Sequence, residues 1–90
     1  MANVRMYTTP WCPYCMQAKV LLGQKDVAYE EIDVSGDPAL RQRMTELSGG
    51  TTVPQIFIDD RPIGGCADLY ALERRGELDR LLDGGAPPHP

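Results

Sequence analysis

The sequence has no run of basic residues, no long apolar segment and few cysteines. Its 9 Lys and Arg stand against 13 Asp and Glu, which leaves a formal net charge of -4 over 90 residues. Without a basic patch the chain lacks the electrostatic footprint of a nucleic-acid-binding protein, so we expect no nucleic-acid partner. No apolar stretch is long enough to span a bilayer, and residues 1–11 alternate apolar with polar side chains, unlike the apolar core of a secretory signal. We therefore expect a cytoplasmic protein with no membrane partner.

Cysteine is scarce and odd in number: the chain has Cys12, Cys15 and Cys66. Three are too few for a disulfide scaffold, and a reducing compartment keeps structural thiols unpaired, so a reactive role is favoured. A hydrophobic fraction of 42% and a charged fraction of 24% indicate one ordinary globular domain. We assign that domain to residues 1–83, because residues 84–90 are rich in Gly and Pro and predict a flexible tail.

Hydrophobic periodicity predicts alternating strands and helices. Strands are predicted at residues 2–8, 27–34, 55–58 and 61–63, the last two joined by a two-residue Asp-Asp turn. Helices are predicted at residues 13–23, 38–48 and 68–75, with a last helical turn or two at 78–82. The order βαβαββα predicts an α/β, thioredoxin-like fold, in which a four-stranded mixed β-sheet is flanked by helices, since the first crossover joins parallel strands.

Two of these helices have clear start signals. Pro13 suits the first position of the first helix, and Asp37 caps a second helix that Pro38 opens. The residues expected to face the core at helical spacing are Met16, Val20 and Leu21 in the first helix, with Ala18 and Leu22 widening that face, and Leu40, Met44 and Leu47 in the second.

The segment Trp-Cys-Pro-Tyr-Cys lies where the first strand gives way to the first helix. This position places Cys12 at the helix N-cap and Cys15 one turn along, on the same side. Free N–H groups and the helix dipole favour an anion there, and the pKa of such a cysteine falls from about 8.5 into a range of roughly 3.5 to 7.5. A thiolate at neutral pH attacks disulfides and also leaves readily, whereas Cys15, deeper in the helix, is suited to resolve a mixed disulfide.

The alternative is that this cysteine pair forms half of a zinc site. A tetrahedral site needs two further ligands, and only Cys66 and His89 remain, the latter in the predicted tail. A CxxC motif that follows a strand and opens a helix therefore favours redox chemistry over zinc binding.

Three motifs in order give the chain a resemblance to the dithiol glutaredoxins. They are the CPYC site, a Thr-Val-Pro segment about 40 residues later, and a Gly-Gly-x-x-Asp turn after the hairpin, and the similarity extends to Asp83. The resemblance implies a glutathione-dependent oxidoreductase that reduces protein disulfides and glutathione mixed disulfides, with Cys12 and Cys15 catalytic. It also implies an active monomer, no tightly bound cofactor, glutathione as reducing co-substrate, and a potential of about -200 to -230 mV.

The same resemblance implies a glutathione site. The cysteinyl part would pair with backbone beside a cis-proline, at Thr52, Val53 and Pro54, and the γ-glutamyl end would lie at Gly65, Cys66 and Asp68, with Tyr14 flanking the tripeptide. Backbone N–H groups before a helix suit an anionic carboxylate, and Asp68 can accept from the neighbouring ammonium. On spacing alone, a plain helix-capping role for Asp68 is equally favoured.

Two departures from the family pattern concern the glycyl carboxylate of glutathione. Relatives often carry basic residues where this chain has Thr9 and Gly50. Arg41 is the best substitute at a position that contacts the carboxylate in relatives, although a solvated helix face is the usual place of a single Arg. We therefore expect glutathione to bind more weakly than in relatives that have both basic residues.

Two other functions remain open. An iron–sulfur carrier would use Cys12 thiolates from two subunits together with glutathione, but Pro13 disfavours it, because cluster-binding relatives usually carry a CGFS motif. A redoxin that takes electrons from thioredoxin reductase would suit the missing basic residues. Of the remaining groups, Cys66 suits a crowded helix start or, if exposed, glutathionylation, and Lys19 either helps to hold the thiolate or is solvated.

Overall fold

The computed structural model describes residues 2–83 and shows four strands and four helices. The strands are β1 (Val4–Thr8), β2 (Glu30–Asp33), β3 (Gln55–Ile58) and β4 (Arg61–Gly64). The helices are α1 (Pro13–Gln24), α2 (Pro38–Ser48), α3 (Cys66–Arg74) and α4 (Leu78–Leu82). This order confirms the predicted fold class, and the short α4 matches the last helical turn predicted at residues 78–82. The expected tail at residues 84–90 lies outside the described residues.

The four strands form one mixed sheet in the order β2-β1-β3-β4. The central strand β1 pairs parallel to β2 and antiparallel to β3, and β3 pairs antiparallel to β4. The hairpin turns at Asp59 and Asp60, whose φ angles of 52° and 65° are those of a two-residue turn with both central residues left-handed. Asp tolerates this conformation better than most residues, and the predicted hairpin is confirmed.

Helices cover both faces of this sheet, and each face has its own apolar cluster. Alternation along β1 sends Met6 toward α1, α3 and α4, and sends Tyr7 toward α2. The larger cluster includes Val4, Met6, Ala18, Leu21, Leu22, Ile56, Ile58, Leu69 and Leu78. The smaller one comprises Tyr7, Val34, Met44 and Phe57, with the Tyr7 and Phe57 rings edge to face at 5.6 Å. The carboxyl end of β1 and the start of α1 therefore lie on a firmly packed support.

The predicted core face of α1 is partly wrong. Met16 and Val20 are 60% and 57% exposed, while Cys15, Ala18 and Leu22 are buried. Apolar residues lie around much of this helix, so two overlapping sets of positions fit the helical period. The set that packs against the sheet has the smaller residues at its centre. On α2 Met44 is buried as expected, but Leu47 is 39% exposed.

Some element boundaries also differ from the prediction. Strand β2 begins only at Glu30, and α1 continues through Gly23 to Gln24. Helix α3 begins at Cys66 because Gly65 takes the N-cap position, two residues before the predicted start. Among residues 2–83, no helix is long and apolar enough to cross a membrane.

Candidate active site

Cys12 occupies the N-cap of α1, as predicted. Its backbone is extended (φ -96°, ψ 113°), and its Sγ accepts a hydrogen bond from the Cys15 backbone N–H at 3.4 Å. The same Sγ lies 3.6 Å from the Val53 carbonyl oxygen, which comes from the loop before β3. The sulfur therefore lies between a helix N-terminus and the Thr-Val-Pro segment.

The surroundings of Cys12 stabilise its ionised form. Partial burial raises the pKa of Cys12, but hydrogen bonds from the Cys15 backbone N–H, the Cys15 thiol and the Tyr14 backbone N–H together outweigh that effect. The net pKa is lowered, because these donors favour the thiolate over the thiol. This direction agrees with the sequence prediction for an N-cap cysteine.

Cys15 has the opposite character, although it is only one turn away. It is 1% exposed, and burial raises its pKa to about 11 despite a hydrogen bond from the Thr9 backbone N–H. The thiolate of Cys12 adds to this rise, and the charge of Lys19 opposes it. Cys12 is therefore the more acidic of the two cysteines, and Cys15 remains a protonated thiol at neutral pH.

An open groove of about 660 Å³ is lined by Tyr14 and by Val53, whose carbonyl oxygen is next to the Cys12 sulfur, although neither Cys12 nor Cys15 lines it. It brings together seven of the eight predicted glutathione-binding residues: Tyr14, Thr52, Val53, Pro54, Gly65, Cys66 and Asp68. The Val53-Pro54 peptide bond is cis, as the resemblance implied. The groove thus joins the start of α1, the loop before β3 and the start of α3.

At the α3 end of the groove, Asp68 fixes the backbone at the start of the helix. Its Oδ2 accepts a hydrogen bond from the Gly65 N–H at 2.9 Å, so Asp68 caps the helix from its third position. Gly64 has φ +111°, and a Cβ there would overlap this carboxylate. The capping role is therefore present in the structure, and the Gly65 N–H, expected to be free for an anion, already has a partner.

Arg41 is the predicted residue that does not line the groove. Its side chain projects from α2, and its guanidinium donates to the Thr51 carbonyl oxygen at 3.3 Å. This contact holds the guanidinium at the edge of the Thr-Val-Pro loop. Arg41 is thus neither inside the groove nor simply solvated.

Gln55 and Ser48 are among the groove residues that were not predicted from the sequence. Gln55 is 5% exposed, and its side-chain amide donates to the Thr52 carbonyl oxygen at 2.9 Å. Ser48 accepts from the Gly50 N–H at 3.1 Å and so shapes the loop after α2. A polar residue inside an otherwise apolar strand was the available signal for Gln55, because buried amides need partners.

The third cysteine lies inside the fold. Cys66 is 6% exposed, its Sγ is 3.9 Å from the Gln17 Oε1, and burial together with the Cys12 charge raises its pKa. This placement agrees with a residue at a crowded helix start. Within residues 2–83 all three cysteines are free, and no group of three or more His, Cys, Asp or Glu side chains could hold a metal ion.

Comparisons with known proteins agree with this geometry. Residues 4–63 match the sequence model of the glutaredoxin family. Glutaredoxin 3 of Escherichia coli K12 is 57% identical over 82 residues, which span 91% of this chain and 99% of that protein. The chain belongs to the glutaredoxin family. Among solved structures, a glutaredoxin from Brucella melitensis superimposes with a TM-score of 0.85 at 52% identity, covering 98% of this chain and 96% of that one.

This glutaredoxin is therefore similar to bacterial glutaredoxin 3 proteins and is a glutathione-dependent thiol-disulfide oxidoreductase. A buckwheat glutaredoxin-glutathione complex also has the same fold, with a TM-score of 0.84 at 27% identity over 91% of this chain and 77% of that one. The resemblance, fold class and oxidoreductase function predicted from the sequence are confirmed.

Proposed function

We propose that Cys12 is the attacking nucleophile of this oxidoreductase and that Cys15 resolves the mixed disulfide that Cys12 forms. The observation that carries this assignment is the unequal environment of two sulfurs one helical turn apart. Helix N–H donors lower the pKa of Cys12, and burial raises that of Cys15 to about 11. A thiolate is the species that attacks, so the order of reaction follows from the order of acidity.

The first exchange takes place at Cys12. Its thiolate attacks one sulfur of a substrate disulfide, a bond forms between the two sulfurs, and the other substrate sulfur leaves with the electron pair as a thiolate. In the dithiol route the Cys15 thiol loses its proton and attacks the Cys12 sulfur, which forms the Cys12–Cys15 disulfide. The second substrate thiolate then leaves and takes up a proton, so the substrate gains two electrons and two protons.

Glutathione completes the cycle in the proposed scheme. In the monothiol route a glutathione thiolate attacks the mixed disulfide on Cys12, and in the dithiol route two glutathione molecules reduce the Cys12–Cys15 disulfide. The groove beside Cys12 supports this assignment by its size and position, as does the glutathione complex formed by the buckwheat relative. We assign the binding residues as Tyr14, Arg41, Thr52, Val53, Pro54, Gly65, Cys66 and Asp68.

The wider assignments extend the same proposal. We propose disulfide-containing and glutathionylated proteins as substrates, a monomer as the active form, glutathione as co-substrate with no tightly bound cofactor, and the cytoplasm as location. Three free thiols and a dithiol cycle support a reducing compartment. Residues 1–83 form the catalytic domain in this scheme.

Coupled NADPH oxidation tests the source of electrons. We expect rapid reduction of a glutathionylated peptide with glutathione and glutathione reductase, and little with thioredoxin reductase alone. The Cys15→Ser variant should retain this monothiol activity and lose reduction of a protein disulfide that depends on both cysteines. Equal turnover with thioredoxin reductase alone, or loss of deglutathionylation in Cys15→Ser, would contradict the scheme.

A further inference from the structure

A charged network lies between α1 and the sheet and includes Lys19. From the sequence, Lys19 was either a solvated residue or one that helps to hold a thiolate. The Lys19 Nζ lies 2.5 Å from the Glu31 Oε2, and the Thr8 hydroxyl donates to the same oxygen at 2.8 Å. Lys19 is thus anchored on the sheet instead of extending freely into solvent. This contact joins α1 to the edge strand β2.

The sheet register explains why these groups meet. Glu31 is the partner of Met6 across the parallel pair, so both side chains lie on the face that α1 covers. Thr8 follows Met6 by two residues on that face and is 1% exposed. The carboxylate therefore has a fixed hydroxyl donor below α1, and the network cannot turn toward solvent without leaving a buried hydroxyl unpaired.

The same face contains the Cys15 sulfur. Lys19 follows Cys15 by four residues, which places both side chains on one side of α1. The influence between them is mutual: the charge of Lys19 lowers the pKa of Cys15, and Cys15 contributes to the raised pKa of Lys19, whose largest cause is the hydrogen bond to Glu31. Lys19 is therefore an ammonium at neutral pH, where Cys15 has to react.

Lys19 supplies the cationic charge among the largest influences on Cys15. The charged and titratable groups that face it are Cys12, whose thiolate opposes ionisation, and Lys19. Glu31 and Tyr29 act on the pKa of Lys19, and Asp33 acts on the pKa of Glu31. When Cys12 becomes part of a mixed disulfide it loses its negative charge, and Lys19 is then the remaining charged side chain that faces Cys15.

We propose that Lys19, anchored by Glu31 and Thr8, is a positioning residue that stabilises the Cys15 thiolate during resolution of the mixed disulfide. The inference rests on the proposed role of Cys15 and adds a reason why a buried thiol can react at neutral pH. In this step Cys15 releases a proton to solvent and its sulfur bonds to that of Cys12. The substrate sulfur leaves with the bonding electron pair, so Cys15 is oxidised and the leaving sulfur is reduced. Lys19 retains its own proton throughout.

A single-turnover experiment isolates this step. Reduced protein is mixed rapidly with one equivalent of dithiobis(nitrobenzoate). Attack by the Cys12 thiolate forms the mixed disulfide and releases a first thionitrobenzoate, and release of the second, coloured thionitrobenzoate reports attack by Cys15. We expect Lys19→Met to slow release about threefold at pH 7, because the loss of thiolate is partly offset by the greater nucleophilicity of a less acidic thiol. Lys19→Arg should restore the rate. The matched control is Lys25→Met, which removes the lysine at the C-cap of α1, paired with Glu73 and Asp79 at the opposite end of the helix from Cys12.

A titration separates an electrostatic role from a structural one. In protein labelled with ¹³C at cysteine Cβ, the NMR chemical shift of Cys15 follows its ionisation as pH is raised. The pH at the midpoint should be higher in Lys19→Met than in the wild type, return to the wild-type value in Lys19→Arg and remain unchanged in Lys25→Met. If the wild type releases the second thionitrobenzoate faster than Cys15→Ser while Lys19→Met changes neither rate nor midpoint, the inference fails and the role of Cys15 stands. If wild type and Cys15→Ser release equally slowly, both are overturned.

Discussion

The N-termini of α1 and α3 face the same groove, yet they are capped in opposite ways. At α1 the capping group is the Cys12 sulfur, which accepts the Cys15 N–H. At α3 the N-cap is Gly65, which has no side chain, and Asp68 reaches back to accept the Gly65 N–H. One helix start thus presents a cysteine of lowered pKa at its tip, and the other is closed by a carboxylate from its own first turn.

The difference shows how one backbone feature serves two purposes. Unpaired N–H groups at a helix start attract negative charge. A cysteine at the tip uses that attraction to ionise, whereas a glycine at the tip leaves space for a bound molecule and lets Asp68 supply the charge from the side. In the proposed complex the cysteinyl sulfur of glutathione lies at the first helix and its γ-glutamyl end at the second.

The largest expected effect comes from removing the anion at α1 without removing the cap. Serine is among the best N-cap residues, so Cys12→Ser keeps a helix cap, and its free energy of unfolding should fall only by the stabilisation that the thiolate adds at pH 7. Turnover should fall by about a thousandfold or more, because serine is not ionised and cannot form the mixed disulfide. Thermal unfolding and the coupled NADPH assay measure the two quantities on one sample. Substantial activity in this variant would exclude Cys12 as the nucleophile.

The pH dependence of stability provides a control for this variant. The pKa of Cys12 is lowered in the fold, so the thiolate contributes stability that is fully present above the unfolded value near 8.5 and is lost as pH falls through the folded pKa. Cys15 and Cys66 have raised pKa values and reduce stability above about pH 8.5. The free energy of unfolding of the wild type should therefore increase relative to that of Cys12→Ser as pH rises toward 8.5.

A second variant disrupts the capping of α3 at its N-terminus. Gly64→Ala places a Cβ against the Asp68 carboxylate at a φ of +111°, which we expect to destabilise the fold by about 3 kcal/mol and to weaken glutathione binding. Gly76→Ala is the matched control, since Gly76 also has positive φ (+72°) but open space around it. It should cost about 1 kcal/mol and leave the KM for glutathione unchanged. Equal effects of the two changes on KM would contradict a role for the Asp68 position.

Local features of this fold were predictable from the sequence, and tertiary ones were not. The Asp59-Asp60 turn and the Cys12 N-cap depend on residues within one turn of chain, so composition and spacing predict them. Which residues of α1 are buried depends on which face of the helix packs against the sheet. Periodicity alone could not show that Leu22 is buried and Val20 is exposed. The contact between Lys19 and Glu31 needs the register of β1 against β2, which sequence spacing does not contain.

The candidate site followed the same division. The cysteines lie in a short motif whose spacing predicts a redox pair, whereas the groove residues were implied by the resemblance to the glutaredoxins. Arg41 was placed on the correct helix, but its bond to the Thr51 carbonyl depends on how α2 packs beside the loop. Gln55 was assigned to a strand without a role, because its partner Thr52 becomes accessible only when the loop folds back.

Replacing Asp68 separates capping from charge. Asp68→Asn keeps an oxygen that can accept the Gly65 N–H, so the free energy of unfolding should change little. If the carboxylate also binds the ammonium of glutathione, the KM for glutathione should rise about fivefold, with kcat nearly unchanged. Asp68→Ala loses both interactions and should also destabilise the protein by about 1 kcal/mol. An unchanged KM in Asp68→Asn would leave capping as the whole role of this residue.

The smallest expected effect concerns how the α1 terminus holds its anion. Cys15 acts on Cys12 through its backbone N–H first and through its thiol second, so Cys15→Ala removes the weaker of the two donors. Losing a donor to the charged form raises the pKa of Cys12, whereas Cys15→Ser, which supplies a hydroxyl donor, should leave it nearly unchanged. Iodoacetamide alkylation of Cys12 between pH 4 and 9, located by peptide mass mapping, measures the midpoint. A midpoint in Cys15→Ala that reaches the value of free cysteine would show that the side chain, and not the helix terminus, makes Cys12 acidic. The contrast between the two helix starts would then rest on one thiol.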